Sequence, residues 1–97
     1  MKIPNTAIQQ EIINKIKELR LQHGISQVDL ADILCVSYGH IGNIESLKFQ
    51  HKYTIKQLYS FCVHIGYPIE KLFLSDIELL ESNHLELLIT KIIEYDE

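Results

Sequence analysis

The residue types that most often carry metal or catalytic chemistry are present in this 97-residue chain but do not cluster. The five histidines share no spacing that would form a metal site, and the two cysteines have no partners at the short spacings through which zinc is bound. No serine, histidine and aspartate form a nucleophilic arrangement, and no glycine-rich loop could hold a phosphate group. The sequence therefore predicts a protein without a metal, a cofactor or an enzymatic activity.

The cysteines and the hydropathy of the chain indicate a location inside the cell. Cys35 and Cys62 lie in apolar stretches, which is typical of reduced cysteines in the core of a cytosolic protein. The first ten residues contain no apolar segment of the kind found in a secretory signal. No apolar run approaches the ~20 residues needed to cross a bilayer. We expect a cytoplasmic protein that makes no membrane contact.

Hydrogen-bonding chemistry is concentrated in one short segment. From Tyr38 to about Ser46, with Ser37 as N-cap, helical spacing turns Ile41 and Ile44 inward. The positions left on the outside of this helix are Tyr38, Gly39, His40, Gly42 and Asn43. The tyrosine, histidine and asparagine side chains can donate and accept hydrogen bonds. Each glycine, by contrast, destabilises a helix interior by about 1 kcal/mol relative to alanine.

Other helices must position this segment, because two turns of helix are not stable alone. A capping box formed by Ser26 and Asp29 indicates that a helix begins at Gln27. Gly24 and Gly66 each follow an apolar helical pattern and are typical of helix ends. We predict no strand, and we predict helices over residues 6–23, 27–34, 38–46, 55–65 and 67–73.

The stretch from Ile16 to Phe73 resembles the lambda-repressor/Cro-like helix-turn-helix family, also called the xenobiotic-response-element family. The most specific text lies between Gly24 and Glu45 and reads G-I-S-Q-V-D-L-A, then V-S, then I-G-N-I-E. The resemblance implies an all-α fold: a five-helix lambda-repressor-like DNA-binding domain, here with an additional C-terminal amphipathic helix. In such domains the second helix crosses the DNA backbone and the third lies in the major groove.

The resemblance also implies roles for individual residues. Gln27 matches a glutamine that binds a backbone phosphate. Arg20 and Glu45 match an ion pair that is structural and makes no DNA contact. The groove-facing positions of the third helix correspond to Ser37, Tyr38, Gly39, His40 and Asn43. The basic residues that border the phosphate backbone, unless they are ordinary surface lysines, are Lys48, Lys52 and Lys56.

Three departures from the family pattern stand out. Cys35 occupies a turn position where relatives usually have glycine, so it must accept that backbone conformation or shift it. Ser46-Leu47-Lys48 replaces the Arg/Lys-Gly or Asn-Gly that often follows Glu45. Gly39 and Gly42 leave no side chain to read a base. They could let the helix backbone sit close to DNA, with more of the selectivity carried by DNA shape.

Charge divides the chain into two parts. The net charge is -4, which on its own disfavours nucleic acid as a partner. Residues 1–74, however, carry eight Lys or Arg against six Asp or Glu, a net charge of +2, and residues 75–97 carry one against seven, a net charge of -6. We predict a DNA-binding domain over residues 1–74, with its helix-turn-helix core at 26–45, and an acidic C-terminal helix within 75–97.

The acidic segment contains an amphipathic helix, for which Asn83 and Glu86 resemble a cap. Its apolar stripe consists of Leu85, Leu88, Ile89, Ile92 and Ile93. The stripe has two interpretations: it covers the core of its own domain, or it associates with a second copy. Since relatives read two half-sites as two-fold dimers, we expect a homodimer.

Together these features predict sequence-specific binding of double-stranded DNA by a dimeric transcriptional regulator, with repression favoured. The competing hypothesis is a protein-interaction module or an antitoxin. Its main partner would be a protein, such as a toxin, bound through the acidic tail. The two glycines and the low net charge favour this alternative modestly.

Overall fold

The computed structural model describes residues 5–48 and 50–97, and these ranges contain seven α-helices and no strand. In chain order the helices are α1 (Ala7–Gln22), α2 (Gln27–Leu34), α3 (Tyr38–Glu45), α4 (Ile55–Ile65), α5 (Glu70–Phe73), α6 (Asp76–Leu79) and α7 (His84–Asp96). The predicted all-α fold with an additional C-terminal helix is confirmed. Across the described part of the chain, no helix has both the length and the hydrophobicity that a bilayer span requires.

Helices α1, α2 and α4 begin at capping boxes. In α2 the Ser26 hydroxyl accepts from the Asp29 N–H, and the Asp29 carboxylate accepts from the Ser26 N–H, each at 3.0 Å. Thr6 begins α1 and Thr54 begins α4 in the same way, each with a glutamine three residues later. Each box satisfies two backbone N–H groups that the first turn of a helix would otherwise leave unpaired.

The turn between α2 and α3 contains a left-handed residue that is not glycine. Cys35 has φ 57° and ψ 43°, so it adopts a backbone conformation that favours glycine. Its side chain is exposed, because it stands at the turn beyond the last apolar position of α2. The prediction of a core cysteine is therefore wrong for Cys35 and correct for Cys62, which is buried; both are free thiols.

Leu47 is a second non-glycine residue with a positive φ, at 56°. Its side chain is half-buried and packs against the hydrophobic core. This packing offsets the roughly 1–2 kcal/mol by which a left-handed backbone is disfavoured.

The C-terminal part differs from the prediction in three places. The fifth helix is shorter than predicted and covers only Glu70–Phe73. Helix α6 is new, because four residues are too few to show an apolar period; a capping box of Ser75 and Glu78 starts it. The predicted side-chain cap by Asn83 is wrong. An N-cap side chain reaches the first turn of its helix when the backbone of the cap residue is extended. The ψ of Asn83 is 23°, so its backbone is not extended and its side chain makes no cap hydrogen bond.

The core forms where α1 meets the other helices. Three isoleucines of α1, Ile12, Ile13 and Ile16, are at most 1% exposed. They belong to one hydrophobic cluster with Leu30, Ala31, Ile41, Ile44, Tyr53, Leu58, Phe61, Cys62, Leu72, Phe73 and Tyr95. Because Tyr95 is in this cluster, residues 75–97 share the core of residues 1–74.

Helix α7 has two different apolar faces. Leu88 and Ile92 are half-buried against the core, and Tyr95 on the same face is fully buried. Leu85, Ile89 and Ile93 lie on another face and are each more than half exposed. One face of the stripe therefore covers the protein's own core, and the other is open to solvent.

Candidate nucleic-acid interface

Helices α2 and α3 are packed at a fixed angle through small and branched side chains. Leu30 and Ala31 of α2 and Ile41 and Ile44 of α3 are all buried. The N–H of Val36 donates to the carbonyl of Ala31 at 3.0 Å, which closes the turn between the two helices. This is the local geometry of a helix-turn-helix.

A buried ion pair joins α1 to the end of α3. The Arg20 guanidinium contacts the Glu45 carboxylate through two bonds, Nε to Oε2 at 2.8 Å and Nη2 to Oε1 at 2.9 Å. Arg20 also donates from Nη1 to the carbonyl of Ile25 at 2.8 Å, at the connection between α1 and α2. Three elements are thereby held together by one side chain, and α3 cannot rotate without breaking a two-pronged, charge-assisted contact.

Gln27 extends this network to the start of α2. Its Nε2 donates to Oε1 of Glu45 at 3.0 Å, and the side chain is half-buried. One amide hydrogen is used in this bond, and the second is left to bind another acceptor. Gln27 is thus part of the scaffold as well as a candidate phosphate contact.

The outward face of α3 carries the predicted polar residues. Tyr38 is 61% exposed and Asn43 is also exposed, whereas Ile41 and Ile44 are fully buried on the opposite side. His40 is half-buried. Its ring lies edge-on to the ring of His51, and the two ring centroids are 5.7 Å apart. Ser37 caps the helix, and its hydroxyl accepts from the His40 N–H at 3.3 Å.

The three lysines assigned to phosphates have different environments. Lys48 and Lys56 are exposed. Lys52 is half-buried, and its ammonium donates to the backbone carbonyl of Tyr95 at 3.0 Å, with the tyrosine ring centre 5.5 Å away. The ammonium of Lys52 therefore lies at the C-terminal end of α7. Of these three lysines, Lys48 and Lys56 are the two that project into solvent.

Helix α2 carries two carboxylates. Asp29 and Asp32 are exposed on α2. Hydrogen bonding from the backbone N–H of Ser26, and then from its hydroxyl, lowers the pKa of Asp29 below its usual value.

Tyr95 is a structural residue that the sequence analysis did not single out. Its hydroxyl donates to the carbonyl of Tyr53 at 2.7 Å, and its own carbonyl accepts from Gln9 at 2.9 Å. These bonds join the end of α7 to α1 and to the loop after α3. The available signal is the spacing, since residues 88, 92 and 95 continue one helical face.

The fold and this surface define a helix-turn-helix domain whose third helix presents an exposed polar face. A family model described as "Helix-turn-helix" matches residues 16–72, which is more than half of the chain. The chain therefore belongs to the helix-turn-helix family of lambda-repressor-like DNA-binding domains. Comparison with curated proteins and with solved structures found no match.

Proposed function

We propose that the protein binds double-stranded DNA sequence-specifically as a dimer and acts as a cytoplasmic transcriptional repressor. The observation that carries this proposal is the exposed polar face of α3, held in place by the buried Arg20–Glu45 pair. A rigid scaffold lets a few side chains be placed against base edges without further ordering on binding. No catalytic step is part of this function.

Base reading is assigned to three residues of α3, Tyr38, His40 and Asn43. Asparagine can form two hydrogen bonds with an adenine edge, and such a contact contributes about 1–3 kcal/mol of discrimination. Ser37 and Gly39, at the start of α3, lie beside these residues. The backbone N–H groups of this turn would enter the groove first.

Phosphate contacts are assigned to residues around this face. Gln27 retains an amide hydrogen, Lys48 and Lys56 are exposed, and α4 begins at Thr54 with its N-terminal partial positive charge. Lys52 is left out of this set in the state described here, because Tyr95 holds its ammonium. These contacts set register and orientation but carry no base information.

Dimerisation is assigned to the exposed face of α7. Leu85, Ile89 and Ile93 follow at intervals of four residues and form one uncharged stripe. Ile77 of α6 and Leu80, which follows that helix, are exposed apolar side chains as well. Leu88 and Ile92, which the sequence also assigns to dimerisation, pack on the core and are expected to act indirectly by fixing the position of α7.

A second candidate function is protein–protein interaction through this same stripe, as in an antitoxin that binds a toxin. The supporting observation is charge, because the -6 segment that carries the stripe would repel a second copy and attract a basic partner. The two candidates differ in what binds α7 and share the DNA-binding face.

Selection from a random double-stranded DNA library tests the proposed function. We expect one enriched sequence, bound with an affinity that falls steeply with salt because bound phosphates release counterions. Asn43→Ala should lose about 1–3 kcal/mol of binding free energy and relax one base position. The matched control Asn14→Ala, on the exposed side of α1, should bind as wild type. If no sequence is enriched and Asn43→Ala changes nothing, the proposal is wrong.

Sedimentation at tens of micromolar tests the dimer. The wild type should be a dimer, and Ile89→Glu should be monomeric while it remains helical. Leu21→Glu, at an equally exposed leucine of α1, is the control and should remain dimeric. A strictly monomeric wild type excludes the homodimer and leaves the protein-partner candidate for α7.

A further inference from the structure

A cavity of about 410 Å³ lies between the first two turns of α1, helix α5 and the second half of α7. This volume falls in the range of roughly 300–1,000 Å³ that is typical of sites for small molecules. The described residues that line it belong to α1 and its N-cap, to α5 and to α7, and not to the helices of the candidate nucleic-acid interface. The function proposed above leaves this cavity without a role.

The buried side of the cavity is apolar. Ile12, Leu72 and Phe73 line it, are at most 5% exposed and belong to the hydrophobic core. Ile8, which also lines the cavity, is half-buried and packs against the same core. An apolar group that enters the cavity is removed from water on this side, and the gain in free energy is roughly proportional to the apolar area that is buried.

Two carboxylates at the cavity have no countercharge. Glu11 of α1 and Glu94 of α7 both line the cavity and are exposed, and neither forms an ion pair with another described residue. Lys15 follows Glu11 by one turn of α1, but its ammonium donates to the backbone carbonyl of Lys71 at 3.0 Å. The carboxylates are therefore available to a cation from solution.

The ammonium that lines the cavity, that of Lys91, is already engaged. It lies 3.0 Å from a carboxylate oxygen of Glu78, in α6, and about a third of each side chain is exposed. With this pair counted as neutral, Glu11 and Glu94 give the cavity a charge of −2. Such a charge attracts a cation and repels an anion.

We propose that this cavity binds a small organic cation with an apolar body, of the class of the primary alkylammonium ions. The alkyl chain lies against Ile8, Ile12 and Phe73, and the ammonium stands at the rim with Glu11 and Glu94. An ammonium has three hydrogen-bond donors, so one ligand can serve both carboxylates. The ligand supplies the missing countercharge and covers apolar surface at the same time. This proposal goes beyond DNA binding and does not depend on it.

Three probes with the same six-carbon chain test the proposal: hexylammonium, hexanol and hexanoate. Each is titrated into the full chain while the backbone amide signals are followed by NMR. We expect hexylammonium to shift the signals of Glu11, Phe73 and Glu94, with a dissociation constant on the order of millimolar, as befits a ligand of so few atoms. Hexanol should bind about fivefold more weakly, and hexanoate more weakly still. Equal affinities for the three probes, or signals that shift only elsewhere, would overturn the proposal.

Variants test charge and space separately. Glu11→Gln and Glu94→Gln should each weaken hexylammonium binding about two- to fivefold, as the loss of one exposed ion pair does, and should leave hexanol binding unchanged. Glu18→Gln, at an exposed carboxylate of α1 that does not line the cavity, is the matched control and should bind as the wild type does. Ala7→Leu fills the cavity from an exposed position and should abolish the binding of both probes without unfolding the protein.

The variants also show what would contradict the assignment of the ligand to this cavity. If Glu18→Gln weakens hexylammonium binding as much as Glu11→Gln does, the attraction is a general effect of net charge and the proposal is wrong. Binding that survives Ala7→Leu overturns it as well, because the ligand then lies elsewhere. A wild type that enriches no DNA sequence contradicts the proposed function and leaves these results unaffected.

Discussion

The hydroxyl of Tyr95, in the last turn of α7, donates a hydrogen bond of 2.7 Å to the backbone carbonyl of Tyr53, in the loop that follows α3. Both tyrosines are at most 1% exposed. Lys52, next to Tyr53, donates to the carbonyl of Tyr95 at 3.0 Å. The C-terminal helix is therefore bonded in both directions to the loop that borders the proposed DNA surface.

Removing the Tyr95 hydroxyl should destabilise the fold. Tyr95→Phe leaves the buried carbonyl of Tyr53 without its partner, and we expect a loss of about 1–3 kcal/mol in the free energy of unfolding, measured with urea. Tyr53→Phe is the matched control. The Tyr53 hydroxyl is buried and has no hydrogen-bond partner among the described residues, so its removal should be neutral or stabilising. Equal losses in the two variants would contradict this assignment.

Stability should fall at alkaline pH. Burial, with a smaller contribution from Glu70, raises the pKa of the Cys62 thiol from 9.0 to about 11, and burial raises the pKa of Tyr53 and Tyr95 above 10.0. The unfolded chain then releases these protons at lower pH than the folded chain. The contribution is fully present below pH 9 and is lost as pH rises, through Cys62 from pH 9 to 11 and through the tyrosines above pH 10.

Each titrating group contributes a slope of up to about 1.4 kcal/mol per pH unit. Urea unfolding between pH 7 and 11 measures it. Cys62→Ala should remove most of the slope between pH 9 and 10, while leaving the steeper decline above pH 10. A slope that is the same in the variant and in the wild type would rule out Cys62 as the source.

The buried Arg20–Glu45 pair should contribute far more than the exposed Lys91–Glu78 pair. Its side chains are 7% and 3% exposed, so Glu45→Gln leaves a buried guanidinium without its countercharge and should lose about 3–5 kcal/mol. In the control pair, Lys91 and Glu78 lie 3.0 Å apart with about a third of each side chain exposed, and Lys91→Met should lose at most about 1 kcal/mol. Similar losses in both variants, measured by urea unfolding, would contradict the structural role of the buried pair.

Glycine should be preferred at the turn between α2 and α3. Cys35→Gly relieves a left-handed backbone at an exposed position and should raise the free energy of unfolding by about 0.5–1 kcal/mol, which shifts the melting temperature upward by a few degrees. Cys35→Val, with a branched Cβ, should lower it. A Cys35→Gly protein that melts below the wild type would show that the thiol makes a stabilising contact.

Much of the architecture could be predicted from local signals. The Ser26–Asp29 capping box, the Thr54 cap and Gly66 each involve only residues close in sequence. The start of α2 and both ends of α4 can therefore be predicted without knowledge of the tertiary structure. The inward placement of Ile41 and Ile44 follows from helical period alone. Short α6 could not be predicted in this way, because a helix of one turn has no period.

The environments of the candidate site residues were harder to predict from the sequence than the helices were. The lysines at 48, 52 and 56 look alike in sequence, yet only the packing of α7 shows that the ammonium of Lys52 bonds to Tyr95, 43 residues away. The same holds for Gln27, whose bond to Glu45 depends on the angle between α2 and α3.

By itself, the sequence determined the class of this protein, the order of its main helices and the outward residues of α3, because these depend on helical period, caps and a family pattern within short windows. Only the tertiary structure decided which face of α7 covers the core and that Cys35 and Leu47 accept left-handed backbone. Those features depend on contacts between residues far apart in the chain, and local patterns do not encode such contacts.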